Sequence, residues 1–175
     1  MEKINWAEVE EAKDYERVTA GGYVCRIVKV EDVPQKQYLR VYADVIEGEF
    51  ANIGFNQQNR TGQDWGFIQF IRSYKPTARG FFKQLLSALE KSNNGRFTAN
   101  TFDGNESKMV MMQLGLVLGE EEYLTQKGEK RIRTYVKDLT TPEAIRKGDF
   151  KVPALKMLPE EKQAAVPVAA NECPF

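Results

Sequence analysis

The chain contains no histidine. That absence removes Ser-His-Asp and Cys-His catalysis, the common zinc sites and the usual general base near neutral pH. Only two cysteines occur, Cys25 and Cys173. They are too few for a structural zinc or a disulfide framework, and Cys25, inside a strand-like run, reads as a small buried hydrophobe in a reducing compartment. No apolar run approaches the ~20 residues a membrane span needs. The start, Met1-Glu2-Lys3-Ile4-Asn5-Trp6, lacks the layout of a signal peptide, so the expected compartment is the cytoplasm. There is no P-loop and no GxGxxG sequence. Net charge is zero, but unevenly spread: residues 1–16 hold six acids and two lysines, leaving a surplus of four positive charges over the rest. Charge permits an anionic partner without pointing to one.

What is present reads as mainly β. Residues 22–33 are apolar at both parities, which predicts a central, buried strand. Residues 38–46 alternate: Leu39, Val41, Ala43 and Val45 on one face, Tyr38, Arg40, Tyr42 and Asp44 on the other. A short strand is expected before the polar stretch Asn56–Gln63, which itself reads as a loop. Trp65, Phe67 and Phe70 favour the core over a ligand platform. Phe82, Leu85, Leu86 and Leu89 repeat with the period of one buried helix face, predicting a helix over 78–92 that starts at Pro76-Thr77 and stops at Asn93-Asn94-Gly95. A strand over 108–118 points Val110, Met112, Leu114, Leu116 and Leu118 one way, and its edge is a candidate for self-association. A hairpin through Lys127-Gly128-Glu129 joins 120–126 to 130–138. Thr141-Pro142-Glu143 opens a short helical turn. From residue 153 prolines punctuate a segment rich in Ala, Glu, Lys and Gln, so residues 1–152 form one domain and 153–175 a tail without fixed structure. The order of elements fits an OB-like five-stranded Greek-key barrel with one helix between strands 3 and 4. Other small one-helix barrels fit that order as well.

Two strands carry aromatic and basic side chains opposite the core: Tyr38, Arg40 and Tyr42, then Arg131, Arg133, Tyr135 and Lys137. Single-stranded nucleic acid binds such faces, because rings stack on bases and cations neutralise phosphates. Arg60 on the polar loop could close over a strand. Cross-strand Tyr–Arg pairs also stabilise sheets with no ligand at all. Asp44, Glu47 and Glu49, or Glu120 to Glu122 near Lys127 and Lys130, are spaced as a metal-dependent nuclease could use them, a pattern that arises by chance very often. The terminal Glu172, Pro174 and Phe175 form a docking peptide whose ring and α-carboxylate suit a basic-rimmed pocket on a partner.

That ending resembles the bacterial single-stranded DNA-binding proteins, with Cys173 in the place of their Ile. The body resembles a family of phage replication and recombination proteins, some described as single-stranded DNA-binding. The matching pieces are Ala20-Gly21-Gly22-Tyr23, the Phe82–Asn93 helix, Met109-Val110-Met111-Met112 and the hairpin Glu120–Arg131; Ser107-Lys108 stands where the family has Gly-Lys. The resemblance implies a barrel that binds single-stranded DNA without sequence preference in a host cytoplasm. It implies no enzymatic activity and no cofactor, with replication or recombination proteins met through the tail. The alternative is an adaptor that recruits such proteins through residues 156–175.

Overall fold

The computed structural model describes residues 16–159, together with Lys3, Asn5 and Ala7. Five antiparallel strands form one sheet in the order β3-β2-β1-β4-β5. β1 (Gly21–Val33) lies at its centre, as a strand apolar at both parities should. A bulge at Val28 interrupts its pairing with β2 between Ile27 and Lys29. The extra residue shifts the alternation, so Val30 joins Cys25 and Ile27 against the core. β2 (Tyr38–Val45) turns Leu39, Val41, Ala43 and Val45 inward, all buried.

α1 (Ile53–Thr61) occupies the residues expected to form a short strand and a loop. Its sequence, mostly Asn, Gln and Arg, has no strong apolar face. Its start is held from a distance instead: the Asp44 carboxylate on β2 accepts the N–H groups of Gly54 and Phe55 at 2.8 and 3.0 Å. Asn52, in the capping position, makes no side-chain cap bond. Gly62, in the left-handed conformation at φ 70°, ends the helix.

β3 (Ile68–Ser73) follows and pairs with β2. Of the aromatics before and within it, Phe67 and Phe70 are buried and Trp65 is exposed. α2 (Arg79–Ser92) lies between β3 and β4 as the periodicity predicts, and packs Leu85, Leu86 and Leu89 into the core. Asn93 fastens its end to the sheet. The buried amide donates to the carbonyls of Leu89 and Gln113 at 2.7 and 2.9 Å and accepts the N–H of Gln113 at 2.9 Å.

β4 (Gln113–Leu124) begins later than expected and runs unbroken into the hairpin. Residues 106–109 are a 3₁₀ turn that buries Met109, and Met111 has φ 68°. Leu114, Leu116 and Leu118 face the core. From Gly115 to Leu118 β4 pairs with β1 on one side and β5 on the other, so it offers no free edge there for self-association. β5 (Lys130–Thr140) carries a second bulge: Leu118 pairs with Val136 and Val117 with Asp138, leaving Lys137 unmatched. Val136 and Leu139 thereby both reach the core.

α3 (Pro142–Lys147) opens as Thr-Pro-Glu predicts, the Thr141 hydroxyl accepting the N–H of Ala144 at 3.2 Å. The chain then crosses the outer face of β1 and β4 as a strap. Phe150 covers Gly22, and Pro153 and the Tyr135 ring cover Gly119. Lys156 bridges to Glu121 in parallel; its N–H donates to Glu120 at 3.0 Å and its carbonyl accepts from Glu122 at 2.8 Å. Pro153 to Leu158, assigned to the tail by composition, thus lie against β4. Gly119 in β4 marks such a close approach, and Gly115 that of α3.

The far end of the strap hangs on Glu122, whose carboxylate accepts the Leu158 N–H at 2.9 Å and meets Lys130 at 2.8 Å. Those two partners, Lys130 first, hold its carboxyl below the ordinary value. A lowered folded-state pKa favours the fold above the ordinary carboxylate range, and that contribution fades as pH falls through it. Stability to urea should therefore drop between about pH 5 and pH 3. Glu122→Gln should be less stable at neutral pH and show a shallower acid decline. An identical decline in both proteins would remove Glu122 as the cause.

The sheet stays open. β5 comes back beside β3, but no strand pairing joins these edges among the described residues. Closure into an OB barrel is thus not what the sheet shows, and α1 is a helix that the sequence did not predict. No helix among the described residues is long and apolar enough to cross a membrane.

Candidate docking surface

The outward row of β2 is where the alternation puts it, but its charges are already matched. Arg40 sits beside Glu31 and Ile71 on the neighbouring strands, and Tyr42 beside Lys29 and Gln69. Glu31 pairs with Lys29 at 2.6 Å and Arg40 at 3.9 Å, and accepts the Tyr42 hydroxyl at 2.9 Å. Lys29 also reaches Asp64 at 3.4 Å and lies over the Tyr42 ring. The Tyr38 hydroxyl accepts a long bond from Arg40, 3.4 Å. Tyr42 is 6% exposed, so its ring is largely sealed against stacking. The Lys29 bond, and then that of Tyr42, pull the Glu31 carboxyl below its ordinary value.

The β5 row is occupied in the same way. Arg131 pairs with Glu129 and Arg133 with Glu121, each at 2.8 Å, and Arg133 lies over the Tyr123 ring. Tyr135 is roofed by Lys156, whose Nζ stands 3.9 Å from the ring centre. Lys137, at the bulge, leaves the alternation of Arg131, Arg133 and Tyr135. Arg60 is exposed on α1, apart from both rows, in a hollow with Glu16 and Glu49. The structure therefore does not gather the eight residues into one groove. Glu172, Pro174 and Phe175 lie outside the described residues.

The acids proposed for nuclease chemistry are dispersed too. Asp44 caps α1, Glu47 pairs with Arg146, and Glu120, Glu121 and Glu122 pair with Arg17, Arg133 and Lys130. Among the described residues no three His, Cys, Asp or Glu side chains group as metal ligands. Cys25 is a buried free thiol whose pKa burial pushes up, with Asp44 adding to the effect.

The seam between β3 and β5 stays uncovered. Two adjoining clefts share Val136. One is lined by Val18, Trp65, Gly66, Phe67 and Leu118, the other by Ile71, Arg72, Phe81 and Leu139. Trp65, Ile71 and Phe81 are 66%, 49% and 65% exposed. Large apolar side chains gathered at one edge of a fold mark an interaction surface more often than a solvated one. Periodicity could not find this seam, because it joins strands far apart in sequence. The one signal available was the density of aromatics from Phe50 to Tyr74.

A family model described as the tubulin-like CetZ C-terminal domain matches residues 40–160. The match starts inside β2, leaves out the central strand β1, and takes in β3, β4, β5, all three helices and the strap. It overturns the resemblance to phage and bacterial single-stranded DNA-binding proteins. With that go the DNA ligand, the replication and recombination partners, and the tail-borne adaptor role inferred from it. No curated protein matches the chain. Because the matched span covers more than half of its length, the chain belongs to the tubulin-like CetZ C-terminal domain family.

Proposed function

We propose that this chain is a protein-docking module of a tubulin-like, polymer-forming system, and that it works without catalysis in the cytoplasm. The observation that carries this reading is the seam, where Trp65, Ile71 and Phe81 stand exposed beside the unjoined edges of β3 and β5. The other outer half of the sheet is already covered by the strap. The family match supports a partner of the cytoskeletal kind. The lack of histidine and the structural duties of the buried or paired acids support a role in binding. The return of β5 beside β3 also supports a finer reading of the fold, a sheet coiled toward an OB-like barrel and left ajar at this seam.

The test is co-sedimentation of the full chain with polymers of a tubulin-like CetZ protein. The chain should pellet with the polymer, and Phe81→Glu should lower its affinity by about tenfold or more, the effect of placing a charge at an interface centre. A chain left wholly in the supernatant rejects the reading.

A further inference from the structure

The charge of the seam specifies what kind of segment it takes, an inference that rests on the docking reading above. The cleft between β3, β5 and the start of α2 has a volume of about 390 Å³. Its two strand walls each carry a cation: Arg72 from β3 and Lys137 from the β5 bulge. Arg72 differs from three other arginines of the sheet and, like Arg26 of β1, forms no ion pair among the described residues. Arg40, Arg131 and Arg133 each have a carboxylate within 4.0 Å. Arg72 has none among the described residues. Its Nη1 donates to the carbonyl of Ile71 at 3.0 Å, and the guanidinium lies over the Phe70 ring.

Burial lowers the pKa of Arg72, and the charge of Asp138 opposes that effect. Asp138 is the one acid in the cleft, and its Oδ1 accepts the Leu139 N–H at 2.8 Å. Lys137 forms no ion pair among the described residues, and neither do Lys75 and Arg79, exposed on either side of the lining residue Ala78. A partly desolvated guanidinium with no carboxylate within ion-pair distance is less favourable alone than once one arrives. Ile71 and Phe81 add apolar surface beside it.

We propose that the seam binds an acidic peptide segment of its protein partner, with one apolar anchor. The carboxylates meet Arg72 and Lys137, and the anchor sits between Ile71 and Phe81. The planar fork of Arg72 suits a carboxylate.

Fluorescence anisotropy of the full chain tests this with a labelled peptide of about ten residues in which Glu and Leu alternate, and with its Gln-for-Glu analogue. The Glu peptide should bind, weaken as salt rises, and lose about tenfold in affinity on Lys137→Glu, a substitution at an exposed position; the Gln analogue should bind about tenfold more weakly. Arg72→Lys, which keeps the charge and loses the fork, should fall between wild type and Lys137→Glu. Equal binding of the two peptides, or binding of neither, overturns the inference. Either result can coexist with co-sedimentation on CetZ polymers, which then leaves the docking reading standing. Tight Glu-peptide binding by a chain that fails to co-sediment sinks the polymer reading and keeps the acidic-segment site.

Discussion

Replacing Asp44 with alanine should destabilise the fold by about 3 kcal/mol and unwind α1 first. The side chain is 1% exposed, and its two oxygens hold the first free N–H groups of the helix. Alanine removes a charged acceptor and leaves both donors short of a partner, that of Gly54 in a buried place. Hydrogen bonds to a charged group contribute about 1.5–3 kcal/mol each, and losses at one site do not simply add. Asp44→Asn keeps the shape and a single acceptor oxygen, so it should fall between wild type and alanine. Urea unfolding gives the size of the effect, and amide exchange at Gly54 and Phe55 gives its place. A loss under about 0.5 kcal/mol, the scale of an ordinary surface change, would show that α1 is held by something else.

The second large effect is expected at the glycines beneath the strap. A side chain on Gly119 would place its Cβ 2.6 Å from the Tyr135 ring and 2.7 Å from Pro153. On Gly22 it would run into the Phe150 ring. The rings or Pro153 would have to shift to make room. Gly119→Val and Gly22→Val should each cost about 1–3 kcal/mol, the range for overpacking a filled site. The loss should be uneven. The Lys156 and Glu122 amides, which tie the strap to β4, should exchange faster, while β2 and α2 amides keep their protection. Wild-type exchange at both amides in both variants would mean that the strap does not depend on those contacts.

Much of the scaffold was legible in the sequence wherever packing alone decides. The alternation of β2, the periodicity of α2 and the Thr-Pro start of α3 each describe how one element meets the core, and each is found in place. α1 was not legible, because what starts it is a carboxylate on another strand. The bulges at Val28 and Lys137 were not legible either, since an inserted residue leaves the local pattern intact while reversing the faces beyond it. The strap left a trace in Gly22 and Gly119, but glycine tells of a close neighbour without naming it.

The surface was legible in position and misleading in meaning. Tyr38, Arg40 and Tyr42 do point outward, yet Glu31 and Lys29 from the adjacent strand engage Arg40 and Tyr42, and Arg40 reaches the Tyr38 hydroxyl. Tyr135 points outward beneath Lys156. Ion pairs and coverings of this kind depend on register and on chain segments distant in sequence. So does the seam, which brings Ile71 and Arg72 of β3 together with Phe81 of α2 and Lys137 of β5.

Docking of a tubulin-like polymer at the seam is tested by co-sedimentation of wild type beside Phe81→Glu and Trp65→Ala with assembled CetZ protein. The wild-type chain should pellet saturably, and both variants should stay folded but bind about tenfold or more weakly. Wild-type and variant chains that pellet equally, or not at all, would contradict it.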